Sequence, residues 1–192
     1  MTEPRHPPAI LAGVGYRNLR DHSLGVKLAD ELGAKRLPPG VEVQDLSYNP
    51  VAVVQWLEAM APGDRPRRMV FVAAVERGRS PGTVTTYRWD GTLPPEARIQ
   101  RAVEDAVTGV IFLDNTLIVL GWLSPLSEDA EIVVVEVEPE DEAFGESFSP
   151  AVASAYREVV DLAVGLSSGR RSADALPLAP LGGMESGSGP EK

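Results

Sequence analysis

The sequence has no cysteine among its 192 residues. This absence excludes disulfide bonds, thiolate zinc sites, iron–sulfur clusters and cysteine nucleophiles. Histidine is almost as scarce, since only His6 and His22 are present. A Gly-Xaa-Ser-Xaa-Gly nucleophile elbow is also missing, and the adjacency of His22 and Ser23 in sequence does not by itself give a serine–histidine hydrogen bond. The sequence therefore gives no support for thiol or serine hydrolase chemistry.

Positive charge is scarce too, with 18 Lys and Arg against 28 Asp and Glu and a net charge of −10. Nucleic acids and anionic lipids both require basic surface, so we expect neither as a partner. The most apolar stretch, residues 107–123, is short and carries Asp114 and Asn115 in its middle, which argues against a membrane span. The N-terminus lacks the apolar run of a secretory signal. We therefore expect a cytoplasmic location.

Strand-like and helix-like patterns alternate over residues 9–166, which we interpret as one domain. Residues 1–8 are rich in proline and are expected to be flexible, whereas residues 167–192, rich in Ser, Gly and Pro, are expected to form a disordered tail. Periodicity alone leaves residues 98–120 open between strand and buried helix. Alternating strands and helices predict an α/β fold with helices on both faces of a parallel-type sheet. The predicted strands are 9–14, 41–46, 69–75, 83–89 and 131–137.

Ligands of such sheets bind at the carboxyl ends of the strands, which directs attention to residues 13–21, 45–48 and 75–80. Gly13 and Gly15 suggest a dinucleotide-binding turn, but Asn18 stands where the third glycine is required and the helix begins later. Asp21 and Asp45 follow strands, so they are candidates to bind a cation or share a proton, and equally to cap a helix and form a turn. The acidic run 138–142 is typical of a solvated loop.

Several motifs occur in a fixed order along the chain. The first strand leads into Gly13-Val-Gly-Tyr-Arg-Asn-Leu-Arg-Asp-His-Ser-Leu-Gly25, the second ends at Asp45, and the third is followed by Pro81-Gly82-Thr83. Val137-Glu-Pro139 and Phe148-Ser-Pro-Ala-Val152 come later. Together these segments, over residues 9–166, resemble the hydrogenase maturation proteases, which trim the C-terminus of nickel–iron hydrogenase large subunits. The resemblance implies a three-layer α/β/α fold of the phosphorylase/hydrolase-like type, with a mostly parallel five-stranded sheet.

The positions that carry metal ligands in that family are altered here. His22 replaces the second acid of the opening pair, and Ala73 stands where the third strand ends in an Asp. The family's third ligand, a His before the long helix, has no counterpart between Arg77 and Lys192. Tyr16 replaces the family's Asn. The resemblance therefore implies a degenerate member of the family, which recognises its client without ordinary metal-guided cleavage. We expect no cofactor and assign no catalytic residue.

The expected partner is a hydrogenase large-subunit precursor or a related protein. The residues expected to contact it are Gly13, Gly15, Tyr16, Asp21, His22 and Asp45. Two alternatives stay open. One is an active endopeptidase with a rebuilt carboxylate and histidine site, in which His22, Asp21, Asp45 and Glu76 hold nickel. The other is an assembly or scaffold protein unrelated to hydrogenase.

Overall fold

A computed structural model of the chain describes residues 9–123, 125–126 and 129–183. The segment expected to be flexible, residues 1–8, lies outside the described part. In chain order the elements are β1 (Ala9–Gly13), a 3-10 turn (Arg20–Ser23), α1 (Leu24–Gly33), β2 (Val41–Asp45), α2 (Pro50–Ala59), a 3-10 turn (Pro62–Asp64), β3 (Arg68–Ala74), β4 (Val84–Trp89), α3 (Glu96–Thr108), α4 (Leu113–Leu123), β5 (Glu131–Val137), α5 (Pro150–Ser167), a 3-10 turn (Ala173–Ala175) and β6 (Leu178–Ala179).

The strands form one mixed sheet in the order β2-β1-β3-β5-β4-β6. Strands β2, β1, β3 and β5 run parallel, whereas β4 is antiparallel to β5. Alternate residues of the central strands pack on opposite faces: Ile10 and Phe71 contact the side of α2 and α4, while Leu11 and Val70 contact the side of α1 and α5. The predicted three-layer α/β/α fold with a mostly parallel sheet is therefore confirmed, although the sheet has six strands rather than five.

The ends of the helices follow local sequence signals. Helix α5 begins where the Ser149 Oγ accepts a hydrogen bond from the Val152 N–H at 3.3 Å, with Pro150 in the first turn. Helix α3 ends at Gly109, whose φ of 83° is a left-handed cap. The ambiguous stretch 98–120 is thus two helices. No single described helix is long and apolar enough to cross a membrane, and α3 and α4 satisfy length and composition only as a pair bent by 112°.

The sixth strand corrects the expectation of a disordered tail from residue 167. The Arg88 N–H donates to the Pro177 carbonyl at 2.9 Å, and the Asp90 N–H donates to the Ala179 carbonyl at 3.0 Å. Ala173 and Ala179 are buried. The physical reason is that the outer edge of β4 needs hydrogen-bond partners, and this segment supplies them. The tail expectation is wrong up to residue 183, and residues 184–192 lie outside the described part.

Candidate functional site

A cleft of about 260 Å³ lies at the carboxyl ends of β1 and β3, where ligands of parallel α/β sheets are expected. Its walls come from the loop after β1, the loop after β3, the connection between α3 and α4, and one residue that follows β5. The lining residues are Val14, Gly15, Tyr16, His22, Ala73, Ala74, Val75, Glu76, Arg77, Arg98, Ile111, Phe112, Leu113, Asp114 and Glu142.

Three of the lining side chains converge on one point. One ligand atom from each of His22, Glu76 and Glu142 lies within 4.8 Å of the other two. The His22 Nε2 is 3.6 Å from the Glu142 Oε2, and the His22 side chain is only 12% exposed. This nitrogen is completely buried and has no hydrogen-bond partner. An unpaired buried nitrogen costs about 1–3 kcal/mol, so the arrangement is unfavourable unless something else occupies the position.

Asp21 fixes the position of His22 from behind. Its Oδ2 accepts hydrogen bonds from the N–H groups of Glu140 and Asp141, both at 2.9 Å, and its Oδ1 accepts from the Ser149 N–H at 2.7 Å. The carboxylate is fully buried. Burial alone would raise the pKa of Asp21, but these backbone hydrogen bonds outweigh it and lower the pKa below its ordinary value. Asp21 therefore ties the turn that carries His22 to the loop that carries Glu142.

The loop that carries Glu76 is held by a second buried carboxylate. Glu138 is only 5% exposed and accepts hydrogen bonds from the Arg77 N–H at 2.9 Å and from the Gly78 N–H at 3.0 Å. The Arg77 side chain forms two hydrogen bonds to Asp114, at 2.9 and 2.6 Å. Burial opposes the positive charge, but the hydrogen bonds to acidic neighbours raise the pKa of Arg77 overall. The acidic run 138–142 suggested a solvated loop, but Glu138 is buried.

Beneath this loop lies a buried ion cluster around Glu136, which is 0% exposed. Its oxygens accept hydrogen bonds from Arg77 at 2.7 Å, Arg79 at 3.1 Å and the Tyr87 hydroxyl at 2.9 Å. Burial, followed by the negative charge of Glu136, raises the pKa of Tyr87. Two guanidinium groups face the two carboxylates of Glu136 and Asp114, so the charges balance. The cluster gives the loop after β3 a rigid base.

Tyr16 and Phe112 form the apolar wall of the cleft. Their rings meet edge to face with centroids 6.0 Å apart, and the Tyr16 hydroxyl accepts a hydrogen bond from the Ile111 N–H at 2.5 Å. The Phe112 side chain is about half exposed. Besides its carboxylates and imidazole, the cleft thus has an aromatic surface.

Several solved structures of similar shape are hydrogenase maturation enzymes. The hydrogenase 2 maturation peptidase from Thaumarchaeota archaeon SCGC_AB-539-E09 is 22% identical, with 81% of this chain and 94% of that chain covered and a TM-score of 0.55. The [NiFe] hydrogenase maturation protease HycI from Thermococcus kodakarensis KOD1 is 18% identical, with coverage of 85% and 93% and a TM-score of 0.59. The chain has the fold of the hydrogenase maturation endopeptidases.

A third solved structure, an endopeptidase from Escherichia coli, is 22% identical over 88% of this chain and 95% of that chain, with a TM-score of 0.59. No family model matches the sequence, and no curated protein does. At these identities the likeness establishes the fold alone. What the cleft does must be argued from its own residues.

The structure brings together part of the predicted client-binding set. Gly15, Tyr16 and His22 line the cleft. Gly13 and Asp21 are buried, and neither lines the cleft. A Cβ on Gly13 would lie 2.0 Å from the Gly25 carbonyl oxygen, so this glycine is required for the close packing of β1 against α1.

Asp45 also lies outside the cleft. It ends β2, the outer neighbour of β1, and its Oδ1 accepts a hydrogen bond from the Ser47 N–H at 3.0 Å, which forms a turn. Neither Asp21 nor Asp45 joins the convergent donors, so only His22 and Glu76 of the proposed rebuilt metal set come together. Glu142 completes the group, and sequence reasoning missed it. A weak signal existed, because Glu142 follows β5, the neighbour of β3.

Nickel is the metal of the rebuilt-site alternative, and the donor types present here are ones that it binds. One imidazole nitrogen with two carboxylates is a donor set for a borderline ion such as nickel or zinc. Ala73, at a position where the family resemblance implies a ligand, lines the cleft but has no donor atom. The His22 Nε2 supports the fit to a metal ion most strongly. It is a buried ligand atom with no hydrogen-bond partner, and His22 lies beside the carboxylates of Glu76 and Glu142.

Proposed function

We propose that the chain is a maturation factor for a nickel–iron hydrogenase large-subunit precursor, or a close relative of one, which it recognises through the cleft. One observation supports this most strongly. The convergence of His22, Glu76 and Glu142 lies at the carboxyl ends of the strands, in a fold whose solved neighbours are named as hydrogenase maturation enzymes.

The cleft has two chemically different walls that suit a metal-bearing polypeptide. Tyr16 and the half-exposed Phe112 offer apolar contact to the side chains of an extended segment. Glu76 and Glu142 are exposed and negatively charged, and they favour a segment that carries a cation. Gly15 lies between them and has no side chain, because a Cβ there would lie 2.1 Å from the His22 carbonyl oxygen.

Recognition without ordinary cleavage is the first form of this proposal. Ala73 removes a donor from a ligand position of the family, and the sequence after Arg77 contains no histidine. A client that carries its own metal would then be bound and held without its peptide being cut. Such a protein acts as a chaperone or a checkpoint for the precursor.

The convergent donors favour a second form, a processing endopeptidase with a relocated site. A bound divalent ion would supply Lewis-acid polarisation of a carbonyl. His22, Glu76 and Glu142 would hold that ion, and Asp21 and Glu138 would keep the three ligands in register through the backbone hydrogen bonds described above.

Co-expression with a nickel–iron large-subunit precursor from the same genome tests both forms. We expect the precursor to co-purify with the tagged chain and the complex to be lost in Phe112→Asp, which puts charge on the cleft wall. Trp122→Asp is the control, because this exposed aromatic on α4 does not line the cleft. Intact mass of the precursor separates the forms: an uncut precursor supports recognition alone, and a shortened one supports the endopeptidase. A precursor that neither binds nor is cut contradicts the proposal and favours an unrelated scaffold role.

A further inference from the structure

We infer that His22, Glu76 and Glu142 bind one divalent ion of nickel or zinc type directly, in the chain on its own and before any client is present. The site is assembled from three separate segments: the 3-10 turn before α1, the loop after β3 and the loop after β5. None of its carboxylates stands at a position where the family resemblance implies a ligand. The inference rests on the proposed function only for the choice of nickel as the physiological ion.

The distances suit an ion better than a hydrogen-bonded cluster. The 3.6 Å between the His22 Nε2 and the Glu142 Oε2 exceeds a normal N–H···O hydrogen bond of about 2.7–3.2 Å. Two ligands that are each about 2.0–2.2 Å from a shared ion lie about 3–4 Å apart, which is the range found here. The spread of the three donors, at most 4.8 Å, closes to that geometry with side-chain rotation of the exposed glutamates.

The burial of the same nitrogen is a second observation. The His22 Nε2 is completely buried and has no hydrogen-bond partner, although the side chain lines the cleft. A polar atom in this state needs a partner, and the Glu142 Oε2 at 3.6 Å is too far away to accept a hydrogen bond from it. An ion between them satisfies the nitrogen and neutralises part of the local negative charge.

The backbone around the ligands is held in advance of binding. Asp21 fixes the His22 turn to residues 140 and 141, one residue before Glu142, and Glu138 holds the N–H groups that follow Glu76. Three protein ligands leave coordination positions open toward the cleft, as in zinc sites that accept water or a substrate atom. The open side is where a client donor would complete the shell.

Isothermal titration of the tag-free full chain with nickel chloride and with zinc chloride is the direct test. We expect one ion per chain for the wild type, and a loss of affinity of at least about tenfold in His22→Ala and Glu142→Gln, since even the loss of outer-shell partners weakens metal sites by about 10–100-fold. His6→Ala is the matched control for the imidazole. Glu140→Gln is the matched control for the carboxylate, because its exposed side chain lies in the same loop outside the cluster.

A second readout keeps the result independent of folding defects. Cobalt(II) absorption of the loaded wild type should show a shell with one imidazole and oxygen donors, and circular dichroism should show that the apo variants are folded. Absence of binding by the wild type, or unchanged binding in folded His22→Ala, overturns the inference. So does loss of the ion in His6→Ala. Because no client is used, a negative result here leaves the co-purification test of the proposed function unaffected, and a failed co-purification leaves this test unaffected.

Discussion

Replacement of Asp21 by asparagine should loosen the whole site while preserving the shape of the side chain. The buried carboxylate accepts three backbone N–H bonds, at 2.9, 2.9 and 2.7 Å. Asparagine offers only one oxygen, so at least one of these bonds is lost and an amide N–H faces a backbone N–H. Hydrogen bonds to charged groups contribute about 1.5–3 kcal/mol each, so the free energy of unfolding should fall by about 2–4 kcal/mol.

Urea unfolding of the wild type and of Asp21→Asn at neutral pH measures this difference. Asp30→Asn is the control, because its ion pair with Arg17 lies on the surface and such pairs contribute about 0–1 kcal/mol. A loss in Asp21→Asn no larger than that of the control would refute the claim that Asp21 holds the two loops together.

The difference in stability between the wild type and Asp21→Asn should depend on pH in a definite direction. The folded state lowers the pKa of Asp21 below its ordinary value of 3.8, so the unfolded chain takes up this proton first as the pH falls. The stabilisation by Asp21 is therefore complete above the unfolded pKa and is lost as the pH falls through the folded one. The difference in stability between wild type and Asp21→Asn should be constant near neutral pH and shrink in acid; a difference that grows in acid would contradict this assignment.

Two further substitutions test the packing around the cleft, each by urea unfolding. Gly15→Ala places a Cβ 2.1 Å from the His22 carbonyl oxygen and should lower the free energy of unfolding by about 1–3 kcal/mol. Gly63→Ala is the control, because no atom lies within 4 Å of its Cβ, and it should change stability by less than about 0.5 kcal/mol. Equal effects of the two substitutions would contradict the close packing of Gly15 against His22. Glu136→Ala leaves two arginines and Tyr87 without their buried partner and should lower the free energy of unfolding by about 3–5 kcal/mol. Glu42→Ala, at an exposed position, is the control and should cause almost no change. A near-neutral Glu136→Ala would show that the ion cluster is not needed for stability.

The central strands and the last helix were predictable because their signals are local. Strands β1 and β3 are largely buried on both faces and read as apolar runs from Ala9 and Met69, whereas the apolar run of β5 ends at Val135, before the buried Glu136. Ser149 and Pro150 mark the start of α5 in the sequence, and the structure places the cap there. Helix α4 was ambiguous because residues 115–120 are all buried, which removes the helical period from this part of its hydrophobic pattern. Strand β6 was missed because it has only two residues, Leu178 and Ala179, and its only strand partner is the outer edge of β4.

The site was predictable only in part because its residues meet through long-range contacts. His22 and Glu76 follow the ends of adjacent strands, so their proximity could be expected from topology. Glu142 reaches them because Asp21 binds the backbone about 120 residues further along the chain, which no local pattern signals. Asp45 lies outside the cleft because β2 is on the outer side of β1, an arrangement that the sequence does not reveal.

The most direct test of the proposed function is the recovery and intact mass of a nickel–iron large-subunit precursor co-expressed with this chain. We expect the precursor to co-purify with the wild type and with Trp122→Asp but not with Phe112→Asp. Its mass then decides between the two forms of the proposal, full length for recognition alone and shortened for processing. A precursor that is neither retained nor shortened would contradict the account and leave the fold without this role.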